Sequence, residues 1–227
     1  MTTTEQSLQH SVLGTMVLPV AKSLRMYGLD PLTLMTDVGI DAAKIANPDW
    51  RIPQASFARL MESAVELTGE EAFGLVAAEQ LQPQTLRGLG LAWLASDTVF
   101  DGLCRLARFS KLVTTAAEVT VRDDGELVHM DFDRTALVSG AHPALKDYGV
   151  GVVVRMCTLA LGDFLAPVNV TLDRPRPASP ERWESMLASR VEFDAQRTTI
   201  SWYRSDIMEP LVTGDPALAR ANDEQTQ

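Results

Sequence analysis

Residues 147–165 constrain this chain more than any other segment. From Val150 to Leu161 they are almost continuously apolar, and Arg155 interrupts the run. A helix that is apolar all round cannot face water, so the rest of the chain must bury it on most sides. The run is short for a membrane span, and a charged residue sits inside it. The 227 residues are 46 % hydrophobic and 22 % charged. That is ordinary globular usage, in a chain long enough to enclose a core.

Upstream of this helix the apolar residues recur at helical spacing. Residues 13–27 carry Val17, Leu18, Ala21 and Leu24 and stop at Gly28, with Pro19 expected in the first turn. Asp30-Pro31 opens a second helix over 32–38, with an aspartate cap, proline at the first helical position and Gly39 at the end. Asn47-Pro48 reads as a turn. Further helices are expected over 54–67 and 72–78, and Gly28, Gly39, Gly69 and Gly74 read as residues that end or punctuate helices. The stretch 86–95 is apolar and rich in glycine. Ser96-Asp97-Thr98 then caps a helix over 99–113 whose apolar face holds Val99, Leu103, Leu106 and Val113.

Near Glu118 the period changes from helical to two. Residues 118–122 and 127–133 alternate around Asp123-Asp124-Gly125, which predicts a β-hairpin. Val128, Met130 and Phe132 share one face; His129 and Asp131 share the other, expected to be solvated. Strands are expected at 168–172, 191–193 and 198–202, and a short helix at 180–189. The fold class is therefore α+β: an N-terminal helical layer (about 13–116) packs on a small, mostly antiparallel β-sheet with a buried helix (about 117–220). No clear linker divides the chain, so residues 1–227 read as one domain.

Several function classes lose support. Lys and Arg number 20 against 30 Asp and Glu, a net charge of −10. Such a chain lacks the concentrated basic surface that grips a phosphate backbone. Cys104 and Cys157 are isolated and read as core residues. His10, His129 and His142 lie far apart with no ligand spacing around them, so no metal site is expected. There is no Gly-x-Ser-x-Gly elbow and no phosphate-binding loop. Gly149-Val150-Gly151 lacks the third glycine of a dinucleotide fingerprint and follows no strand. No catalytic constellation stands out, and no cofactor is implied. The N-terminus lacks a signal peptide, which points to the cytoplasm.

What remains are polar groups inside apolar segments. Tyr148, Val152, Arg155, Leu159 and Gly162 stack on one helical stripe. A guanidinium drawn out of water needs a carboxylate or several carbonyls. Arg155 is thus an internal ion pair, an arginine at the helix edge, or a clamp for an anionic ligand. Arg87 poses the same choice, and Trp93 is either core or the aromatic wall of a pocket.

A series of short motifs, in order from about residue 17 to 220, resembles a known family. It begins with Gly28-Leu29-Asp30-Pro31-Leu32, Val38-Gly39-Ile40 and Arg51-Ile52-Pro53. It continues through Thr68-Gly69-Glu70-Glu71-Ala72-Phe73-Gly74-Leu75, then Ser96-Asp97-Thr98 followed by Leu103, Arg105, Arg108-Phe109 and Leu112. It closes with Val191-Glu192-Phe193-Asp194-Ala195, Pro210-Leu211 and Asp215-Pro216-Ala217-Leu218. The pattern resembles the "arabinose-binding-like" N-terminal sensor of AraC/XylS-type transcription regulators of the ornithine-utilisation class. The resemblance implies a bacterial regulatory domain in which a small effector binds between the helical layer and the sheet. In that family a unit of two helix-turn-helix motifs follows the sensor. No such basic helix occurs before Gln227, so the DNA-binding domain is expected to be absent, in a shortened chain or a natural sensor-only protein.

Arg87, Trp93, Tyr148 and Arg155 are the expected pocket residues. Their arginines favour an anionic effector: an amino-acid derivative, a fatty acid or another carboxylate. The chain is expected not to be an enzyme, to meet DNA only through the missing domain and to meet no membrane. A rival reading is a dimerisation or protein-interaction module without a ligand, which uses the apolar face of helix 99–113 to form a homodimer or to dock on a partner protein. A weaker one is an enzyme that uses His129 and Asp131 in a cleft.

Overall fold

The apolar segment dictates the packing. In a computed structural model that describes residues 10–47, 49–134, 142–161 and 165–225, it forms the helix Pro143–Leu161. The helix begins four residues earlier than expected because Pro143 opens it, its missing N–H falling where a first turn has no partner to offer. Pro48 and Gly162 lie outside the described residues.

The elements follow in chain order. The first half holds β1 (Ser11–Leu13), α1 (Val17–Met26), α2 (Pro31–Asp37), β2 (Arg51–Pro53), α3 (Gln54–Thr68), α4 (Phe73–Glu79), α5 (Gly88–Leu94) and α6 (Val99–Val113). The second holds β3 (Ala117–Asp123), β4 (Leu127–Arg134), α7 (Pro143–Leu161), β5 (Asn169–Thr171), α8 (Glu181–Leu187), β6 (Arg190–Glu192), β7 (Thr198–Tyr203), α9 (Arg204–Ile207) and α10 (Pro216–Gln225).

Local signals place the helix ends. Asp30 accepts hydrogen bonds from the N–H groups of Leu32 and Thr33 at the start of α2, and Thr98 accepts from Asp101 N–H at the start of α6. Gly69 ends α3 in the left-handed conformation, with φ +67°. Pro19 sits in the first turn of α1. The small antiparallel β1–β2 ladder was not expected. It pairs Val12 with Ile52, partners forty residues apart in strands too short to announce themselves.

The main sheet has the order β3-β4-β7-β5-β6, and of these pairs β5–β6 is the parallel one. Val128 opposes Trp202, and Met130 and Val170 both oppose Ile200. These side chains join the helical layer in one core cluster. The hairpin therefore has the expected register, and the fold is α+β as anticipated.

Gly74 does not end a helix. It lies inside α4, where an added Cβ would meet the Ala144 carbonyl oxygen at 2.1 Å. Gly151 plays the matching part on α7, where a Cβ would come within 2.5 Å of the Ala78 Cβ. These two positions let α4 and α7 approach until their backbones nearly touch. The residues of α6 named as a docking face, Val99, Leu103 and Leu106, are buried by the chain itself. That surface is not available to a partner. Cys157 is buried as expected, whereas Cys104 is half-exposed.

Two glycine substitutions separate close packing from open space. Gly74→Ala should destabilise by about 2–3 kcal/mol, because the obstructing atom is backbone and cannot swing away. Gly149→Ala meets nothing within 4 Å and should stabilise by about 0.5–1 kcal/mol through helix propensity. Urea midpoints with an unchanged slope would measure both.

Candidate ligand-binding site

Where α7 crosses between the sheet and the helical layer, the side chains do not fill the space. A cavity of about 160 Å³ remains. Its floor is α7, through Leu145, Tyr148, Gly149, Val152 and Val153. The helical side supplies Val12, Met16, Phe57, Leu86, Leu106 and Val113; the sheet side supplies Val119, Phe132 and Thr198. The lining is almost wholly apolar. An apolar cavity of about this size stays dry and can hold a benzene-sized guest.

Few polar groups reach it. The Tyr148 hydroxyl donates to the Met16 carbonyl oxygen at 2.9 Å, so the phenol is tied down and its ring, tilted against Phe57, serves as wall. Gln54, at the first position of α3, enters from the helical side. Lys146 and Asp173 form the charged edge, with Nζ to Oδ1 at 3.1 Å. Lys146 Nζ also donates to the Asp173 carbonyl oxygen at 2.9 Å, and the Thr198 hydroxyl donates to Asp173 Oδ1 at 2.7 Å.

Directly behind this pair lies a second one of mirrored sign. Asp147, fully buried, takes a short contact from Arg174 Nη1. Arg174 is itself 4 % exposed; it reaches Glu71 Oε1 at 3.0 Å and lies 4.7 Å over the Trp183 ring. Burial pushes the Asp147 carboxyl up to about 7, against the pull of the Arg174 charge. The dipeptides Lys146-Asp147 and Asp173-Arg174 thus clasp the start of α7 to the segment after β5. Two adjacent opposite charges at the head of an apolar helix, answered by the reversed order elsewhere, were a legible signal that pattern reading by single residues passed over.

Of the expected pocket residues, Tyr148 lines the cavity and the other three lie elsewhere. Trp93 is fully buried in the core against Gly102. Arg87 precedes α5 with φ +54°; its Nη2 donates to the Asn47 carbonyl oxygen at 3.3 Å and its Nε has no partner among the described residues. Arg155 lies in a separate surface groove with Leu75, Thr158 and Met186, its Nε likewise unpartnered. Tyr148 and Arg155 do share an angular stripe, but two turns of helix put them roughly 10 Å apart along the axis.

His129 and Asp131 lie outside the lining of this cavity. His129 Nδ1 meets the Ser201 hydroxyl at 2.8 Å and Nε2 meets Asp124 Oδ2 at 3.0 Å. Asp131 is 2 % exposed rather than solvated, held by the Thr199 hydroxyl at 2.6 Å and roofed by Arg122 and Arg197. Among the described residues no three His, Cys, Asp or Glu side chains converge as metal ligands, and no helix is long and apolar enough to cross a membrane.

An apolar cavity between the helical layer and the sheet, with one charged edge, is the kind of space in which proteins hold small molecules. Residues 28–211 match the sequence model of the arabinose-binding N-terminal domain of AraC transcription regulators, and the chain belongs to that family. It is 23 % identical over 202 residues to the ornithine utilization regulator of Pseudomonas aeruginosa, covering 88 % of this chain and 59 % of the relative. The crystal structure of the transcriptional regulator CdpR from Pseudomonas aeruginosa superposes with a TM-score of 0.59 at 17 % identity, over 90 % of this chain and 61 % of that one. A doubly substituted Tt H-NOX protein shares the fold more distantly, with a TM-score of 0.52 at 13 % identity over 87 % of this chain and 97 % of that one. The chain spans less than two thirds of either regulator's length.

Removing Arg174 should reveal the cost of the buried carboxylate. Arg174→Met leaves Asp147 without its cation and should destabilise by roughly 3–5 kcal/mol at about pH 8. The loss should shrink near pH 5. A carboxyl whose folded-state pKa is raised binds its proton more readily folded than unfolded, so its burden on stability grows as pH rises through that range. Urea unfolding of both proteins at the two pH values checks this.

Proposed function

We propose that this cavity is the effector site of a bacterial AraC-type regulator, and that the effector is a compact amphipathic carboxylate. The observation that carries the reading is an apolar space between the buried helix and the layers that cover it, with Lys146 on its edge. A pentose suits such walls poorly, since its many hydroxyls would be buried with too few partners. A carboxylate with an apolar body of about six to eight carbons matches both the volume and the charge. Its head would compete with Asp173 for Lys146, and its body would replace the empty space beside Val152 and Phe57. Among the expected effectors this favours a short fatty or aryl acid over a zwitterionic amino acid. Occupation would bias the domain toward one arrangement and so control DNA binding by a helix-turn-helix unit of the full-length regulator in the cytoplasm.

The test is a thermal-shift and calorimetric comparison of octanoate and phenylpropionate with their neutral amides. The carboxylates should raise the melting temperature with dose, because a ligand that binds the native state stabilises it. Lys146→Met should weaken carboxylate binding by about tenfold and leave the amides nearly unchanged, consistent with losing one charge-assisted hydrogen bond. Equal binding of acid and amide, or no effect of the substitution, would sink the assignment of the head group.

A further inference from the structure

The two edges of the main sheet are not alike. At one end β6 is three residues long, as blunted edges often are. At the other end β3 runs for seven residues, contains no proline and pairs with β4 in unbroken register from Ala117–Arg134 to Asp123–Val128. Among the described residues no strand pairs with its outer side; β1 bonds to Thr114 and Thr115, ahead of it. Asp124 N–H donates to the Leu127 carbonyl oxygen at 3.1 Å. Antiparallel pairs alternate from there, so Arg122, Thr120 and Glu118 turn their N–H and C=O groups toward β4. Asp123, Val121, Val119 and Ala117 turn theirs outward. A long, straight edge with unpaired backbone groups is a template for another strand. The α6 helix lies against the inner face of β3, since Leu106 and Val113 line the cavity together with Val119. Glu118, Thr120 and Arg122 are exposed on the other face.

We propose that β3 pairs with β3 of a second copy of this chain, antiparallel about a two-fold axis through Thr120, so that one sheet runs across a homodimer. The strand reads Ala-Glu-Val-Thr-Val-Arg-Asp, and in that register it is complementary to itself. Glu118 falls opposite the partner's Arg122, Val119 opposite the partner's Val121, and Thr120 opposite its own copy. The outward-turned residues then face one another. Val119 and the partner's Val121 exchange both backbone hydrogen bonds, as do Ala117 and the partner's Asp123. The Glu118–Arg122 pairs take the intervening positions, where opposed side chains come closest. Moving the axis to Val119 or Val121 sets Glu118 or Arg122 against Thr120 and loses both ion pairs. Glu118 also has a use for a foreign cation. Across the β3–β4 ladder it stands opposite Asp133, a like charge, and among the described residues it forms no ion pair. Arg122 is exposed, with Nε 3.6 Å from Asp131 Oδ2. This interface does not rest on the effector reading, although Val119 also lines the cavity and would place one of its walls at the dimer seam.

Sedimentation velocity of the 227-residue chain over a dilution series should show a monomer–dimer equilibrium. A seven-residue strand pair is a small interface, so the dimer should dissociate on dilution. Glu118→Arg sets arginine against arginine twice in each dimer, and Arg122→Glu sets glutamate against glutamate. Each should weaken self-association by about tenfold or more. Mixing the two variants should restore a dimer to within about threefold of wild-type strength, because every pair across the axis is then opposite in charge. The doubly exchanged chain, Glu118→Arg with Arg122→Glu, should associate with itself in the same way. Val121→Pro removes an outward N–H, leaves the β4 ladder intact and should abolish the dimer. A chain that stays monomeric at about 100 μM overturns the proposal, as do single exchanges that leave the dimer unchanged or a mixture that fails to restore it. Circular dichroism checks that each variant is folded. Should Arg122→Glu not fold, having given up its contact with Asp131, Glu118→Arg and Val121→Pro decide. Glu118 is exposed, and an arginine in its place faces Asp133 within the same chain.

Discussion

Everything in this molecule answers to the burial of α7. The helix runs for 19 residues and has no face suited to water. It is covered by α4 on one side, close enough that Gly74 and Gly151 have no room for a side chain, and by the sheet and the α3–α6 side elsewhere. Burying its beginning also buries Asp147, and a buried carboxylate must be answered. Arg174 answers it and is held in turn by Glu71, at the entry to α4, and by the Trp183 ring on α8. One helix therefore fixes the positions of elements from both halves of the chain.

The cavity is the residue of the same packing. Along its first half α7 offers Gly149 where a larger side chain would reach across, and an added Cβ there meets nothing. Tyr148 and Phe57 hold the walls apart, and the Lys146–Asp173 pair closes one edge. Protein interiors are generally close-packed, so an unfilled apolar space stands out beside the fully buried Trp93, Trp183 and Trp202. Its walls come from β1, α3, α6 and α7 and from strands β3, β4 and β7 of the main sheet. A guest placed there touches the helical layer, the buried helix and the sheet at once, which is what a sensor needs if occupancy is to matter beyond the site. The α10 helix packs on α5, which packs on the cavity wall α6, itself kinked at Phe109.

The elements were legible to the degree that their signals were local. Asp30 before Pro31, Thr98 before α6, Gly69 after α3 and Asp123-Asp124-Gly125 between β3 and β4 each act within a few residues, and each is found where expected. The β1–β2 ladder was not legible, because three-residue strands carry no usable alternation. The candidate site was legible only in Tyr148. Arg87, Trp93 and Arg155 attracted notice as polar or aromatic residues in apolar surroundings, but such a residue can point into a cavity, into the core or into a surface groove. Gln54 looks like an ordinary residue at the start of a helix, and Lys146 is marked only by its place beside Asp147, which becomes informative once the reversed pair Asp173-Arg174 is set against it.

By itself the sequence determined that an apolar helix had to be enclosed, where most of the longer helices and the β3–β4 hairpin would lie, and that Val128, Met130 and Phe132 would share one face of that hairpin. Those properties follow from period, capping and turn chemistry, which act along the chain. Only the tertiary structure decided that Lys146 would meet Asp173, that Asp147 would sit in the interior with Arg174, and that the layers would fail to close around Gly149. These depend on how far apart packed elements come to rest. That distance is set by side chains from many parts of the chain at once, and no local pattern encodes it.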